Sequence, residues 1–193
     1  MNSPAMAEAI RSDGASVAGD SLCLNLGGLG EGYLDGSIPG FKTVDLRDGA
    51  DYQRNINDLS IFKDHSIKEL YSSNVLEHFS IHDTVPVLKE WHRVLIPGGK
   101  LWLSVPDFDA CVRLYQLSGL TDWVQYLIWG DQKHPLNYHY INFTFATAAK
   151  ALYEAGFEDA KRVAHLPYGI HDASEHTDNW QRKPISLNIE ATA

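Results

Sequence analysis

The sequence predicts an α/β fold, in which helices cover both faces of a three-layer, mostly parallel sheet that ends in an antiparallel strand pair. Three observations support this: short apolar runs of strand length recur, glycines follow the first run, and helical periodicity separates the later ones. The chain has 193 residues, of which 44% are hydrophobic. This length fits a single domain, which we expect over residues 20–193 after a loose N-terminal arm over 1–19.

Apolar runs predict the first three strands. Residues 21–26 form a nearly continuous run that is typical of a central parallel strand, buried on both faces. Residues 41–46 and 67–73 are the next candidates. The stretch between the first two strands is short for a full crossover helix, so we expect the first crossover helix to be shortened.

Helices alternate with strands after residue 80. Ser80 and Asp83 have the spacing of a capping box, and apolar residues recur at helical spacing up to Leu95, before Pro97 and two glycines end the helix. The remaining predicted elements are a strand over 101–105, helices over 107–130 and 145–155, and a final pair of strands over 157–166 and 184–192.

Composition and charge exclude several classes of protein. The chain carries 16 Lys+Arg against 25 Asp+Glu, and its basic residues form no tract. A nucleic-acid partner is therefore disfavoured. No apolar stretch approaches the roughly 20 residues of a membrane helix, and the first residues lack the pattern of a secretory leader, so we expect a cytoplasmic protein with no membrane span. Cys23 and Cys111 are predicted to be buried and reduced.

The ends of the strands are where we expect the chemistry, since ligands of open α/β sheets bind outside the carboxyl ends of the strands. Glycines follow the first strand, Asp45 ends the second, and Asn74 follows the third. Glycines let a ligand approach the backbone closely, and an acid at a strand end can accept hydrogen bonds from ribose hydroxyls. An adenosine-type ligand is therefore predicted.

The spacing of the glycines separates classes of nucleotide enzyme. Gly28, Gly30 and Gly32 are spaced G-x-G-x-G, whereas dinucleotide enzymes use G-x-G-x-x-G. A nicotinamide-dependent oxidoreductase is therefore disfavoured. The sequence has no G-x-x-x-x-G-K-[ST] motif, which excludes a P-loop nucleotide triphosphatase.

Two motifs carry a resemblance to a known family. Residues 71–79 read YSSNVLEHF, and residues 87–101 read VLKEWHRVLIPGGKL, followed by SVPD at 104–107. Together they closely resemble class I S-adenosylmethionine-dependent methyltransferases, above all a subgroup of small predicted methyltransferases linked with polysaccharide or other secondary biosynthesis. That subgroup also has a tail strand similar to SLNIEA at residues 186–191. The resemblance covers about residues 21–193.

The resemblance implies a Rossmann-like methyltransferase sheet, S-adenosylmethionine as the cofactor, and methyl transfer to a small-molecule or glycan acceptor at oxygen. The residues that it implies for cofactor binding are Gly27, Gly28, Gly30, Asp45, Asp58, Leu59 and Asn74. The glycines would pass under the methionine part, Asp45 would hold the ribose, and Asn74 would contact the methionine amino group. Asp58 and Leu59 would flank the adenine.

The family's first motif has an acid two residues before its first glycine. Asn25 or Leu26 stands at that place here, depending on which glycine is taken as the first. The carboxylate that normally helps to hold the ammonium group of the cofactor is therefore missing. A non-catalytic S-adenosylmethionine-binding or scaffold protein with the same fold remains the alternative.

Methyl transfer needs alignment and a deprotonated acceptor, and it requires no dedicated nucleophile. His139 is the first candidate for a general base, because a neutral imidazole can take a proton near pH 7. Asp107 is the second, and would otherwise be a helix N-cap. His134, Tyr138 and Tyr140 belong to the same segment as His139 and are the candidates for acceptor binding.

Two other groups of residues have more than one interpretation. The aromatic segment over 108–129 is either helix core or the roof of an acceptor pocket, and an exposed part of it is a candidate homodimer interface. The histidines and acids at 171–178 resemble a metal cluster in composition. Their spacing is not that of ligands on one helical face, so we interpret them as solvated loop charges and expect no metal site.

Overall fold

The structure, a computed structural model, describes residues 22–29, 37–133, 135–169 and 172–193. The arm expected over 1–19 and most of the stretch expected to hold the shortened crossover helix lie outside these residues. The strands are β1 (Leu22–Leu26), β2 (Phe41–Asp45), β3 (Tyr52–Gln53), β4 (Ile67–Ser73), β5 (Leu95–Pro106), β6 (Glu158–Arg162) and β7 (Ser186–Thr192). The α-helices are α1 (Thr84–Val94), α2 (Phe108–Ser118), α3 (Asp122–Trp129) and α4 (Phe145–Ala155), and short 3-10 turns lie at Leu76–His78 and Ala173–Glu175.

The strands form one seven-stranded sheet in the order β3-β2-β1-β4-β5-β7-β6. The first five strands pair in parallel, and β7 runs antiparallel to both β5 and β6. The mostly parallel sheet with an antiparallel C-terminal pair is therefore confirmed. In this topology the carboxyl ends of β1, β2 and β4 lie side by side, which places the residues after them at one edge of the sheet.

Several element boundaries differ from the sequence prediction, and one strand was not predicted. The helix that begins after Ser80 ends at Val94, and β5 starts at Leu95 rather than at Leu101, so the Pro-Gly-Gly stretch belongs to the strand. Gly98 lies at φ 79°, and its amide donates to the carbonyl of Ala193, 2.7 Å away. The two-residue strand β3 was not predicted, because two residues are too few for a periodic pattern.

The main hydrophobic core lies between the sheet and the helices α1 and α4. Leu70 of β4 is buried in this core, while the next residue, Tyr71, packs with Ile38 and Leu166 in a separate cluster. Because successive side chains of a strand point to opposite faces, both faces of β4 are covered, as expected for a parallel sheet. Cys23 and Cys111 are buried and form no disulfide, as predicted. None of the helices in the described ranges is long and apolar enough to span a membrane.

The first turn of helix α4 is held by a capping box. The Thr144 hydroxyl accepts from the Thr147 amide at 3.3 Å, and the Thr147 hydroxyl accepts from the Thr144 amide at 3.0 Å. We expect Thr144→Ala to lower the free energy of unfolding by about 1 kcal/mol, the usual cost of losing such a cap. Urea denaturation would measure this. Lys150→Ala, an exposed change in the same helix, should stay within about 0.5 kcal/mol, and an equal loss in both variants would contradict a capping role.

Candidate functional site

A cavity of about 670 Å³ opens where β1, β2 and β4 end. Its volume lies within the roughly 300–1,000 Å³ of small-molecule sites. Gly27, Gly28, Asp45 and Asn74 all line it, so the structure brings these predicted cofactor residues to one place. Gly30 lies outside the described residues.

The two glycines after β1 leave the cavity floor without side chains. Gly27 has φ +72°, and a Cβ placed on it would lie 2.5 Å from Cγ2 of Val75. A Cβ on Gly28 would lie 2.4 Å from the side chain of Asn25. Both contacts are far closer than packed atoms allow, so a side chain at either position would force Val75 or Asn25 to move. A ligand can therefore approach the main chain directly.

We expect Gly27→Ala to destabilise the protein more than Gly49→Ala, its matched control. Both glycines have positive φ, but a Cβ on Gly49 meets nothing within 4 Å. In both variants the alanine must adopt a positive φ, which lowers the free energy of unfolding by roughly 1–2 kcal/mol. Gly27→Ala should lose about 1–3 kcal/mol more, because Val75 must move. The free energy of unfolding in urea measures the difference; equal losses would show that Val75 moves without cost.

Asp45 is buried, 6% exposed, and all its lone-pair directions are in use. Its Oδ1 accepts from the Arg47 amide at 3.0 Å and from Arg47 Nε at 3.1 Å. Its Oδ2 accepts from Arg47 Nη2 at 2.8 Å and from the Leu29 amide at 3.4 Å. Burial by itself would raise the pKa of Asp45, but the hydrogen bonds from Arg47 and Leu29 outweigh it and the pKa is lowered. The carboxylate is therefore ionised at neutral pH.

The structure does not bring Asp58 and Leu59, the residues predicted to flank the adenine, into the lining of this cavity. Leu59 is fully buried in the main core, and its amide donates to Glu90 Oε1 at 2.8 Å. Asp58 is exposed, with its carboxylate 3.8 Å from Arg54. Neither lines the cavity, whereas Asn55 and Ile56 do. These two follow β3, so the rule about strand ends would have found them if that strand had been predicted.

The cavity lining also contains groups that the sequence did not single out as ligands. Tyr71 is buried, and its hydroxyl donates to Oδ2 of Asp172 at 2.7 Å. Burial and the neighbouring Asp172 carboxylate raise the pKa of Tyr71, which keeps the phenol protonated. Trp123 also lines the cavity, and its buried Nε1 has no hydrogen-bond partner. A bound ligand could accept from this donor.

The interpretation of 171–178 as solvated charges is wrong for two of its acids. Asp172 is 6% exposed and Asp178 is 1% exposed. Asp178 Oδ2 lies 3.3 Å from Arg113 Nη2, and its Oδ1 accepts from the Trp180 amide at 3.0 Å. The loop therefore turns these two acids inward: Arg113 and backbone amides satisfy Asp178, and the Tyr71 hydroxyl and the Ser174 amide satisfy Asp172.

Glu77, His78 and His139 lie together beside the cavity. Burial raises the pKa of Glu77 to about 8, although the nearby Asn74 side chain opposes the shift. Burial, with a smaller effect of His78, lowers the pKa of His139 to about 4. His139 is therefore neutral at pH 7, the form that a general base requires.

The other predicted residues that the structure describes do not line this cavity. Asp107 is the N-cap of α2: its Oδ1 accepts from the Asp109 amide at 3.1 Å, and its Oδ2 lies 3.1 Å from Arg162 Nη1. It does not line the cavity. Tyr138 and Tyr140 line a separate shallow depression, with ring centroids 6.3 Å apart. His134 lies outside the described residues.

Comparisons with known proteins agree with this geometry. Residues 41–103 match a family model described as a methyltransferase domain. The fold is similar to that of a SAM-dependent methyltransferase from Archaeoglobus fulgidus, with TM-score 0.55 and 11% identity over 89% of this chain and 85% of that one. A SAM-dependent methyltransferase from Thermotoga maritima gives TM-score 0.56 and 16% identity over 91% and 84%.

A third similar structure was solved with ligands. The 1,6-didemethyltoxoflavin-N1-methyltransferase of Burkholderia thailandensis, with bound 1,6-didemethyltoxoflavin and S-adenosylhomocysteine, gives TM-score 0.51 and 16% identity. The alignment covers 88% of this chain and 70% of that one. A search of curated proteins gives no significant match.

Proposed function

We propose that this chain, which matches a methyltransferase domain and has the fold of S-adenosylmethionine-dependent methyltransferases, methylates an oxygen of a small-molecule or glycan acceptor. S-adenosylmethionine is the cofactor. The observation that carries the proposal is the cavity at the strand ends, with a bare glycine floor and an ionised carboxylate at Asp45.

The residues of the cavity fit this cofactor. Gly27 and Gly28 offer bare backbone to its methionine part, and Asp45 offers a carboxylate to its ribose. Asn55 and Ile56 supply a polar and an apolar surface for the adenine. When bound, the cofactor supplies a methyl group on a positively charged sulfur, which an acceptor oxygen can attack.

Asn25 is the departure from the family pattern within this cavity. It is 2% exposed, it lines the cavity, and its side chain packs against Gly28. An amide oxygen can accept from an ammonium group, but it contributes no charge. We therefore propose that Asn25 takes the place of the missing acid, with weaker attraction for the cofactor's amino group.

His139 is the group that we propose as the general base. Its Nδ1 lies 3.0 Å from the carbonyl of Leu127, which can only accept, so Nδ1 carries the hydrogen and Nε2 the lone pair. A neutral imidazole in this tautomer can take a proton from an acceptor hydroxyl at Nε2. Asp107 is less suited to this role, because its carboxylate caps α2 and pairs with Arg162.

Aromatic side chains support the proposed class of acceptor. Trp123 and Tyr126 line the cavity and stack, with centroids 5.4 Å apart and planes 9° apart. Such faces pack against sugar rings or flat aromatic molecules. The unpartnered Nε1 of Trp123 would donate to an acceptor oxygen. We also propose that the reaction takes place in the cytoplasm. Tyr115 and Leu117 of α2 are exposed, and we propose that they belong to a homodimer contact.

Calorimetric titration of the whole chain with S-adenosylmethionine and S-adenosylhomocysteine tests the cofactor site. We expect one site with a dissociation constant in the micromolar range for both. Transfer of a radiolabelled methyl group to a panel of hydroxylated small molecules and saccharides then tests the reaction. Binding without transfer to any acceptor would favour the non-catalytic alternative, and no binding would overturn both proposals.

A further inference from the structure

Three side chains beside the cavity have the composition of a metal site. Glu77 and His78 belong to the 3-10 turn after β4, and His139 lies in the segment between α3 and α4. One ligand atom from each lies within 4.8 Å of the other two. This is the only such group among the residues that the structure describes, and all three residues line the cavity.

Each imidazole has one ring nitrogen at hydrogen-bonding distance from a backbone carbonyl. Nδ1 of His78 lies 3.1 Å from the carbonyl of Tyr138, and Nδ1 of His139 lies 3.0 Å from the carbonyl of Leu127. Because a carbonyl only accepts, each Nδ1 carries the hydrogen and each Nε2 carries the lone pair. Metal-binding histidines almost always donate their other ring N–H in this way, which fixes the tautomer and the direction of the ring.

Glu77 supplies an independent observation. The residue is 1% exposed, and neither of its carboxylate oxygens has a hydrogen-bond partner in the structure. A buried carboxyl group without a partner is costly even when it is protonated, and natural structures satisfy nearly all such groups with hydrogen bonds, ions or water. A metal would bind the ionised form, so metal binding would release the proton that burial favours. A cation bound between Glu77 and the two imidazoles would give one of these oxygens a partner and balance the charge of the ionised carboxylate.

We propose that Glu77, His78 and His139 bind one divalent transition metal of the Zn²⁺ class. Two imidazoles and one carboxylate suit this class, whereas Mg²⁺ and Ca²⁺ prefer all-oxygen sites. Bond lengths of about 2.0–2.1 Å place tetrahedral ligand atoms roughly 3.4 Å apart. The three ligand atoms, which lie within 4.8 Å of one another, would therefore have to move closer together to bind the metal. Three protein ligands leave a fourth position for an oxygen donor, as in catalytic zinc sites.

This site changes the role of one residue in the proposed reaction. With a metal bound, Nε2 of His139 is a ligand and cannot act as a base. The fourth position could then hold and orient an acceptor oxygen, a role that rests on the proposed methyl transfer. Metal binding itself does not rest on it, because it can be measured without cofactor or acceptor.

Zn²⁺ titration of the EDTA-treated whole chain tests the proposal, with Co²⁺ as a spectroscopic probe. We expect one Zn²⁺ per chain, with micromolar or tighter affinity, and the visible absorption band of four-coordinate Co²⁺. Glu77→Gln and His139→Gln should each weaken Zn²⁺ binding by about 100-fold or more. His176→Gln is the matched control, since His176 lines the same cavity outside the cluster, and it should bind Zn²⁺ as the wild type does.

Two results would overturn the metal site. One is the absence of Zn²⁺ binding, and the other is binding that Glu77→Gln and His139→Gln leave unchanged, which would place the ion elsewhere. Circular dichroism of both variants verifies that they are folded. S-adenosylhomocysteine titrations on the same samples test the two proposals separately. If the cofactor product binds but Zn²⁺ does not, the metal-site proposal is overturned and the methyltransferase proposal is unaffected.

Discussion

Replacing Asp45 by Ala is expected to weaken the binding of S-adenosylmethionine and S-adenosylhomocysteine by at least about 100-fold. The buried carboxylate of Asp45 lies at the end of β2 and is ionised at neutral pH. Each hydrogen bond that it accepts from a ribose hydroxyl is worth about 1.5–3 kcal/mol, because the acceptor is charged. Losing two of them corresponds to a change of 100-fold or more, which calorimetric titration can measure.

Asp51→Ala is the matched control for this variant. Asp51 is also an acid in an ion pair: its Oδ1 lies 2.8 Å from Lys42 Nζ, and its Oδ2 accepts from the Thr43 amide at 2.9 Å. It does not line the cavity. Its loss should therefore leave the affinity for the cofactor unchanged. Equal weakening in both variants would mean that Asp45 acts only through the stability of the β2 edge.

Arg47→Ala separates ribose binding from the ion pair. Without ligand, Arg47 and the Leu29 amide take up all the hydrogen-bonding directions of Asp45. A ribose can bind only if some of these contacts are exchanged for its own hydroxyls. We therefore expect Arg47→Ala to change the affinity by less than about 10-fold. A loss as large as that of Asp45→Ala would assign the effect to the Asp45–Arg47 pair and not to the ribose.

The residues that follow or end a strand are the part of the site that could be predicted from the sequence. Gly27, Asp45 and Asn74 each follow or end a strand, and parallel strands bring such residues to one edge of the sheet. This reasoning needs only the strand boundaries. Asp58 and Leu59 came from the family resemblance instead, and neither lines the cavity. Asn55 and Ile56, which do line it, follow the short strand β3, and that strand has no periodic signal from which they could have been placed.

Contacts between segments that are distant in sequence could not be predicted in the same way. Tyr71 and Asp172 are separated by 101 residues, yet the phenol and the carboxylate form a buried hydrogen bond in the cavity wall. Glu77 and His139 meet because the segment after α3 returns to the turn after β4, where the Tyr140 amide donates to the Glu77 carbonyl at 2.9 Å. Spacing along the chain carries no information about such pairs.

Replacing His139 by Gln is expected to lower kcat by about 10²–10⁴-fold, the usual contribution of a positioned acid–base group. Gln can still donate to the Leu127 carbonyl, so the segment should keep its place, and the affinity for S-adenosylhomocysteine should not change. His65→Gln is the matched control, since His65 Nδ1 also bonds a backbone carbonyl, that of Leu95 at 3.0 Å, but His65 does not line the cavity. An unchanged kcat in His139→Gln would remove His139 from the reaction.

The rate of the EDTA-treated wild type then distinguishes the two roles proposed for His139. A general base needs no metal, so if the imidazole takes the proton, removing metal leaves kcat unchanged and only the substitution lowers it. If His139 acts as a metal ligand, EDTA lowers the wild-type rate to the level of the variant, and Zn²⁺ restores the wild type alone. Because Glu77 is a ligand in one scheme and only a neighbour in the other, Glu77→Gln should match His139→Gln in kcat only if the metal is required.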